Sequence, residues 1–362
     1  MATPKPEKLL CVLPLPAPPN LEQQMKEKHP EMDFEYIFHR FDTRNALACV
    51  KDIVPPEKFQ SATVLVTLTM LPDPADCPNL ELIHVFSAGT NHIANHPIFT
   101  NTKIPICTAT GVHGPQIAEW VLMTLLAHNH LLPRMYEFQK KHLWERERTM
   151  EFHRVRDLVG QRIGVLGYGS IGRQIARVSK AMGMDVIAYT ATPKKTPEAR
   201  QDSGYIVPGT GDPDGSIPSA WFGGLDKDSL HNFLEQDIDV LVLSLPLTAK
   251  TRHLLGEAEF EILAKKQAFL VNISRGEIID QPDLIRALEK GSLRGAALDV
   301  TDPEPLPKDD PLWDAPNILI APHISGVGSA YSERAFQILD INLTRRAKGE
   351  KLINVVQRER GY

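Results

Sequence analysis

The sequence of 362 residues is poor in cysteine and contains no CxxC pair. Widely spaced cysteines argue against a disulfide scaffold or a zinc site and fit a reducing compartment, so we expect no bound metal. The four are Cys11, Cys49, Cys77 and Cys107. An excess of positive charge is also absent, because 40 Lys and Arg residues face 45 Asp and Glu residues. A chain with a net charge of −5 and no basic block is a poor candidate for binding nucleic acid or a membrane surface.

Long apolar runs and targeting signals are missing as well. The first apolar run, from Leu9 to Leu15, is interrupted by Pro14 and is too short to span a bilayer. The N-terminus has no basic segment followed by a long apolar stretch and a small-residue cleavage site. The last three residues match neither an endoplasmic-reticulum nor a peroxisomal signal. We therefore expect a cytoplasmic protein that makes no membrane contact.

Short apolar runs alternate with amphipathic stretches along most of the chain. A first series of strand-like runs lies near Leu10, Tyr36, Val66 and His84. After Asp157 a second series follows, with RIGVLG, DVIAYT, IDVLVLSLP, AFLVNIS, AALDV and NILIAPH. Runs that are apolar at nearly every position are typical of strands covered on both faces of a parallel sheet. The two series predict two α/β domains of similar architecture.

The stretch between the two series is predicted to be helical. Residues Ile117 to Leu132 form a long apolar helix pattern that Pro133 is expected to close. The charged stretch from Tyr136 to Arg156 has two interpretations, a solvated helical face or a protruding arm used in dimerisation. Further along, Thr192 to Gly224 is rich in proline and glycine and lacks strong periodicity. This second stretch is interpreted as a surface insertion.

The most informative segment is RIGVLGYGSIGRQIARVSKAMGMDVIAYT, a βαβ pattern that contains GxGxxG. Gly167 suits a tight turn, Gly169 lets the backbone approach a pyrophosphate, and Gly172 allows close helix–strand contact. The start of the following helix offers unpaired N–H groups and a positive dipole end to an anion. Because the strand before, the helix after and the second strand are all present, the motif predicts dinucleotide binding.

The end of the second strand of this motif indicates which dinucleotide is favoured. An acidic residue there would bind the 2′-hydroxyl of NAD and repel a 2′-phosphate. The position holds Thr190, with Thr192, Lys194 and Lys195 close behind. Two hydroxyls and two cations in place of a carboxylate favour NADP(H), although NAD(H) stays possible.

Three later strand-like runs are each followed by a polar side chain: Arg275, Glu304 and His323. In α/β folds, ligands are bound at the carboxyl ends of the strands. An arginine can hold carboxylate and keto oxygens with its planar fork, and a histidine can protonate an oxygen as hydride reaches the adjacent carbon. A nearby carboxylate would stabilise the protonated histidine. The three residues form a plausible set for reduction of a 2-keto acid.

At this point the sequence resembles a known family over most of its length. The segments that carry the resemblance are FSAGTNHI, GVHGPQIAEWVLMTLL, the dinucleotide motif, LPLTAKTRHLL and the three segments with Arg275, Glu304 and His323. Their order and wording are similar to those of the D-isomer-specific 2-hydroxyacid dehydrogenases. Within that family the sequence is similar to the NADP-preferring glyoxylate/hydroxypyruvate reductases.

The resemblance implies a role for each matching residue. His323 would be the acid/base, Glu304 its partner, and Arg275 the residue that binds and polarises the substrate. The backbone of Ser87, Ala88 and Gly89 would hold the substrate carboxylate, with Arg275 and His323 also in contact with substrate. The resemblance further implies a cofactor-binding set made of Gly167, Tyr168, Gly169, Ser170, Ile171, Gly172, Thr190, Thr192, Lys194, Lys195, Leu245, Pro246, Thr251, Ile273, Ser274, Arg275, Asp299, His323 and Ser325.

The family fold also implies a domain assignment. The predicted class is α/β, with two Rossmann-like or flavodoxin-like domains, parallel sheets and a cleft between them. Residues 1–110 and 326–362 would form a discontinuous substrate domain, and residues 111–325 a dinucleotide-binding Rossmann domain. Members of the family commonly form dimers through the cofactor domain. The resemblance therefore implies a homodimer and favours the dimerisation arm for the charged stretch around Trp144.

Two functional hypotheses follow. The first is an enzyme that reduces a small 2-keto acid to a D-2-hydroxy acid, with glyoxylate, hydroxypyruvate, 2-ketogluconate or 2-ketogulonate as candidate substrates. The second is a nucleotide-sensing, corepressor-like binding protein on the same scaffold, which Arg275, Glu304 and His323 alone cannot exclude. The chain has no basic nucleic-acid segment to support it. A formate dehydrogenase is disfavoured, because that branch pairs its histidine with Gln and this chain has Glu304.

Overall fold

The computed structural model describes residues 7–39, 53–144, 152–153 and 155–359. It divides the chain into two compact units, one formed by Met1–Val112 with Ser329–Tyr362 and the other by His113–Gly328. The domain boundaries predicted from the sequence lie near Gly111 and Ser325. The substrate and cofactor roles predicted for the two units stay predictions.

The first unit is built on a five-stranded sheet. Its strands are β1 (Glu7–Leu13), β2 (Met32–Phe38), β3 (Val64–Thr67), β4 (Leu82–Val85) and β5 (Ile106–Thr108). Helices α1 (Leu21–Lys28), α2 (Pro56–Ser61) and α3 (Pro97–Asn101) lie between them in the chain. All strand pairs are parallel, in the order β2-β1-β3-β4-β5, which is that of flavodoxin-like folds. This confirms the predicted class for the N-terminal part.

The second unit contains a seven-stranded sheet. Its elements, in chain order, are α4 (Gly114–Asn129), α5 (Leu132–Lys140), β6 (Arg162–Leu166), α6 (Ser170–Ala181), β7 (Asp185–Thr190), α7 (Pro197–Arg200), β8 (Ala220–Gly223), α8 (Lys227–Leu234), β9 (Val240–Leu243), α9 (Glu257–Ala264), β10 (Phe269–Asn272), α10 (Gln281–Glu289), β11 (Gly295–Leu298) and β12 (Ile318–Ile320). The strand order is β12-β11-β10-β9-β6-β7-β8, and every pair is parallel. This order contains the Rossmann arrangement, with the switch point between β6 and β9. The predicted Rossmann-like class is confirmed.

The chain then returns to the first unit with helix α11 (Tyr331–Ala347). The Phe336 ring packs 4.8 Å from the Phe86 ring, measured between centroids, and the Tyr331 hydroxyl donates to the Phe86 carbonyl oxygen. At the other end of the helix, Arg346 forms an ion pair with Glu7 at 2.8 Å. The five-stranded sheet is thus completed by a helix from the far end of the chain. None of the helices in the described residues is long and apolar enough to cross a membrane.

The interior of the five-stranded sheet contains a histidine. His84 in β4 is wholly buried, and it aligns in register with Val66 of β3 and Cys107 of β5. Burial lowers the pKa of His84 to about 4, because an apolar interior disfavours the charged imidazolium. Cys107 lies within β5, where burial raises the pKa of its thiol to about 12. Both groups are therefore neutral at physiological pH.

The predicted helix boundaries around Pro133 are wrong. Helix α4 ends at Asn129, and Pro133 lies in the first turn of α5. A proline is well accommodated there, because the first-turn N–H has no partner within the helix. The break comes from Leu131, whose φ of 55° is left-handed. Helix α5 begins before Tyr136 and ends at Lys140, and residues 145–151 and 154 of the predicted charged helix lie outside the described residues.

The interpretation of Thr192 to Gly224 as a surface insertion is only partly correct. Residues Ala220–Gly223 form β8, which pairs with β7 at the edge of the seven-stranded sheet. Asp212 is buried, with 3% of its surface exposed. A four-residue strand has too few positions to show an alternating pattern, and a buried aspartate in a glycine-rich loop is read from sequence as a turn residue.

Candidate active site

The glycine loop between β6 and α6 has the geometry that its sequence predicts. Gly167 has a φ of +104°, and a Cβ there would collide with the Ser244 carbonyl oxygen. A Cβ on Gly172 would collide with the Gly167 carbonyl oxygen and would lie 3.0 Å from Val165. These two glycines are therefore required by backbone conformation and close packing.

Gly169, by contrast, faces open space. A Cβ on Gly169 would meet no atom within 4 Å, and Gly169 is the N-cap of α6, followed by Ser170 and Ile171 in the first turn. The N–H groups of that turn have no partner within the helix. An open approach to a helix N-terminus fits the pyrophosphate of a dinucleotide, so these residues would hold one there.

The residues after β7 form the wall of a cavity of about 370 Å³. Lys194 and Lys195 line the cavity, and neither pairs with a carboxylate among the described residues. The Thr190 hydroxyl donates to the Thr192 carbonyl oxygen at 2.7 Å. The structure thus places the two predicted cations beside the end of β7, with Thr190 fixing the turn that precedes them.

The predicted cofactor residues after β9 and β10 are held together by hydrogen bonds. The Leu245 N–H donates to Ser274 Oγ at 2.9 Å, which joins the two strand ends. The Thr251 hydroxyl donates to the Pro246 carbonyl oxygen at 2.8 Å. Ile273 is 8% exposed. These contacts define the loops after two neighbouring strands at the carboxyl edge of the sheet.

Arg275 stands at the end of β10 in a loop that Asn272 shapes. The Asn272 amide donates from Nδ2 to the Arg275 carbonyl oxygen at 2.9 Å and accepts at Oδ1 from the Ser274 N–H at 3.0 Å. Asn272 is wholly buried, and the sequence analysis did not identify it. Because Asn272 is the last residue of β10, at the edge of the sheet where ligands bind, its position in the sequence could have identified it as a site residue. The half-buried guanidinium donates to the Ser274 carbonyl oxygen and pairs with no carboxylate of the described residues.

His323 and Glu304 form a pair. His323 Nδ1 lies 2.6 Å from Glu304 Oε1, a hydrogen-bond distance, and the two side chains are 45% and 40% exposed. The Arg275 loop lies against the loop that carries Glu304, because a Cβ on Gly276 would collide with the Thr301 backbone carbonyl. Two of the three residues proposed for the reaction are therefore in direct contact.

The conformation of His323 depends on Asp299. His323 has a left-handed φ of 55°, and its N–H donates to the Asp299 carbonyl oxygen at 2.9 Å. The Asp299 side chain is buried and accepts hydrogen bonds from the N–H groups of Ile324, at 2.8 Å, and Ser325, at 3.0 Å. The Ser325 hydroxyl also donates to this carboxylate. Asp299 thus fixes the loop on which the histidine stands.

In the first unit, the segment Ser87 to Gly89 follows β4. The Ser87 hydroxyl donates to the Gly89 carbonyl oxygen at 2.7 Å, and the Ser87 carbonyl oxygen accepts from the Ala109 N–H at 2.9 Å. Ser87, Ala88 and Gly89 are half-buried. The segment is therefore a fixed turn at the carboxyl edge of the five-stranded sheet.

A Rossmann unit with an open glycine loop and a histidine–carboxylate pair can bind a dinucleotide and exchange a proton. This defines the class as a nucleotide-dependent α/β oxidoreductase. Residues 122–207 and 216–325 match the model of the D-isomer specific 2-hydroxyacid dehydrogenase NAD binding domain. The chain belongs to the D-isomer specific 2-hydroxyacid dehydrogenase family.

Similar proteins agree with this assignment. A glyoxylate reductase from Aeropyrum pernix is 31% identical over 83% of this chain and 85% of its own. A D-3-phosphoglycerate dehydrogenase from Methanocaldococcus jannaschii is 30% identical over 83% of this chain and 52% of its own. The crystal structure of a D-isomer specific 2-hydroxyacid dehydrogenase from Xanthobacter autotrophicus, in complex with NADPH and MES, is 25% identical. Its TM-score is 0.75, and the similarity covers 98% of this chain and 99% of that one.

These findings support the enzyme hypothesis of the sequence analysis over the corepressor hypothesis. The protein is an NAD(P)-dependent enzyme of the 2-hydroxyacid dehydrogenase class, and its reaction interconverts a 2-keto acid and a 2-hydroxy acid.

Proposed function

We propose that this enzyme reduces a small 2-keto acid to the D-2-hydroxy acid and favours NADPH. The observation that carries the proposal is the 2.6 Å contact between His323 and Glu304, in the same compact unit as the glycine loop. The similarity to the glyoxylate reductase from Aeropyrum pernix supports a small substrate. The NADPH-bound neighbour from Xanthobacter autotrophicus supports the cofactor preference.

His323 supplies the proton. A bound NADPH would provide the hydride that reaches the keto carbon. With Nδ1 bonded to Glu304, the imidazole turns Nε2 away from the carboxylate, where it can protonate the keto oxygen. Glu304 stabilises the positive charge of the imidazolium before the transfer. In the reverse direction the neutral imidazole takes the proton back.

Arg275 binds the substrate anion. Its guanidinium pairs with no carboxylate of the described residues, so its charge is available to the carboxylate and keto oxygens of the substrate. The family resemblance implies that backbone N–H groups of Ser87, Ala88 and Gly89 would also bind the substrate carboxylate. A guanidinium and exposed N–H groups both favour a short, anionic 2-keto acid.

Cofactor preference comes from the cations after β7. Lys194 and Lys195 line the cavity beside Thr190, where an NAD-preferring relative would carry an acidic residue. A 2′-phosphate would therefore meet positive charge there. We expect a lower KM for NADPH than for NADH, and a Lys194→Glu/Lys195→Glu variant should reverse the order. Lys180→Glu, at the far end of α6, is the matched control.

A substrate panel tests the proposed reaction. NADPH oxidation is followed with glyoxylate, hydroxypyruvate, 2-ketogluconate and 2-ketogulonate, with His323→Ala as the control. We expect turnover of at least one of these acids by the native enzyme and none above background by the variant. Tight NADPH binding without turnover of any acid would contradict the proposal and favour the regulatory hypothesis.

We also propose that the enzyme is a homodimer, in keeping with the predicted dimerisation arm. Large apolar side chains are exposed on and after α4 and α5, including Met123, Tyr136 and Trp144, at 53%, 54% and 95%. A second copy would remove this surface from water. Light scattering after size-exclusion chromatography should give twice the chain mass. A Tyr136→Ser/Trp144→Ser variant should shift it toward the monomer, and a monomeric native protein would contradict this proposal.

A further inference from the structure

Residues 196–217, which we name the bracing segment, include α7 and lie between the strands β7 and β8. Part of this segment, residues 208–215, falls between the two stretches that match the family model. It nonetheless packs against α6, since Asp212 and Gly211 are buried and both form hydrogen bonds with side chains of that helix. A stretch outside the family match that docks on the glycine loop calls for a role of its own.

Two side chains in the first turns of α6 hold the bracing segment. Arg173 is 4% exposed and donates to the carbonyl oxygens of Arg200 and Asp212. Its Nε also lies 3.5 Å from Asp202 Oδ2. The neighbouring Gln174 accepts at Oε1 from the Gly211 N–H at 2.6 Å. The helix that would bind the pyrophosphate is thus tied to the bracing segment near Arg200 and near Asp212.

A second connection runs from the glycine loop itself. The hydroxyl of Tyr168, which stands between Gly167 and Gly169, donates to Asp212 Oδ2 at 2.7 Å. Burial and the Asp212 carboxylate raise the pKa of Tyr168, so the hydroxyl stays a donor. The Asp212 carboxylate also accepts from the N–H groups of Ser216 and Ile217, at 3.1 and 3.2 Å. Asp212 therefore fixes the fold of the segment and its contact with the loop at once.

The other end of the bracing segment reaches the cavity after β7. Arg200 Nε donates to the Lys194 carbonyl oxygen at 3.2 Å, and the guanidinium carbon lies 5.6 Å from the centre of the Trp221 ring. Arg200 lines the cavity together with Lys194 and Lys195. Gly223, also in the cavity wall, pairs in register with Thr190 at the end of β7. Three cations therefore surround the place where a Rossmann fold holds the ribose 2′ position.

We propose that Arg173 and Asp212 are positioning residues for 2′-phosphate recognition, and that the bracing segment is the element that places Arg200 beside Lys194 and Lys195. The proposal rests on the NADPH preference proposed above. Arg173 connects the two parts of the cofactor site, since one guanidinium holds both the backbone next to Asp212 and the backbone of Arg200.

A displaced bracing segment is expected to affect the binding of the two dinucleotides differently. NAD and NADP share the pyrophosphate, which binds at Gly169 and the start of α6. Only NADP carries a phosphate that reaches the three cations. If the bracing segment shifts, the cations lose their geometry toward the 2′-phosphate while the glycine loop keeps its own conformation through Gly167 and Gly172. Affinity for NADP should therefore fall more than affinity for NAD.

The test measures the Kd of NADP⁺ and of NAD⁺ for the full chain by calorimetry, without substrate. The variants are Asp212→Asn, which weakens the hold on Tyr168 and the turn, and Arg173→Lys, which keeps the charge but cannot bridge both carbonyl oxygens. Arg200→Met removes the charge at the cavity and keeps apolar contact with Trp221, so it serves as a test should the buried variants fail to fold. Lys180→Met removes an exposed cation at the far end of α6 and is the matched control.

We expect the Kd of NADP⁺ to rise about tenfold in all three variants, the loss of one charge-assisted contact, while the Kd of NAD⁺ changes less than about twofold. Lys180→Met should leave both values as they are. An equal rise for the two dinucleotides, or no change for either, would overturn the positioning role even where the melting temperature falls. Native protein that binds both dinucleotides equally would instead overturn the cofactor preference, and the inference with it.

Discussion

His323 of the seven-stranded unit and His84 of the five-stranded sheet lie in opposite environments. In the seven-stranded sheet, His323 and its partner Glu304 stand beyond the strand ends and are 45% and 40% exposed. In the five-stranded sheet, His84 lies inside β4 and is wholly buried, and the strand end offers the backbone of Ser87 to Gly89. A histidine paired with a carboxylate near water can carry a proton, whereas one sealed in a sheet can only affect stability. Four experiments test this contrast and the roles of the residues around His323.

The largest effect is expected from His323→Ala. Removal of the proposed acid should lower kcat by about 10³-fold, because positioned proton transfer contributes on that order. The measurement is steady-state NADPH oxidation with the best substrate of the panel. His130→Ala, at an exposed position after α4, is the matched control and should leave kcat as it is. A His323→Ala enzyme with native kcat would remove His323 from the reaction.

The next effect concerns stability and His84. The folded-state pKa of His84 is about 4, below the ordinary value, so protonation favours the unfolded chain. Its contribution is complete above about pH 6.5 and is lost as the pH falls toward 4, a change on the order of 3 kcal/mol. Urea unfolding at several pH values measures it. His84→Leu should flatten this dependence, and His128→Leu, which removes a histidine of similarly low pKa in the other unit, separates the two contributions.

A smaller effect is expected from Arg275→Lys. The point charge of lysine cannot reproduce the planar fork on carboxylate and keto oxygens, so kcat/KM should fall by about 10²-fold. Arg252→Lys, whose guanidinium forms a longer surface ion pair with Glu277 at 3.7 Å, is the control. If both variants behave alike, Arg275 does not bind the substrate.

The smallest effect is expected from Glu304→Gln. The amide retains a hydrogen bond to His323 Nδ1 but removes the negative charge that stabilises the imidazolium. The protonated histidine is then less well stabilised, and kcat/KM for reduction should fall by about tenfold. Glu257→Gln, an exposed carboxylate at the start of α9, should leave kcat/KM as it is. A native kcat/KM in Glu304→Gln would contradict the proposed pairing.

The strands and the proposed reaction residues could be predicted from the sequence, because both depend on local patterns. Continuous apolar runs identify β6, β7 and β9 to β12. Thr190 is the last residue of β7, and Arg275 lies just past the end of β10. The glycine loop is equally readable, since Gly167 and Gly172 are required by the backbone within their own βαβ unit. These features need no knowledge of distant contacts.

Contacts between distant residues could not be read in the same way. Asp212 meets Tyr168 across 44 positions, and its glycine-rich surroundings indicate a turn more strongly than a buried site. Arg173 looks like an ordinary helix cation in sequence, although it is 4% exposed. The break between α4 and α5 was missed for a local reason, because the left-handed φ of Leu131 replaces the glycine that usually marks a helix end.

The return of α11 to the five-stranded sheet has a consequence for how the protein is made. On the ribosome, strands β1 to β5 emerge first, yet the face that Phe336 covers stays open until residues 331–347 have been translated. The seven-stranded unit is continuous in the chain and can fold during that interval. The unit that is synthesised first is therefore completed last, and the nascent chain carries an uncovered apolar face, a target for chaperones, through most of its synthesis.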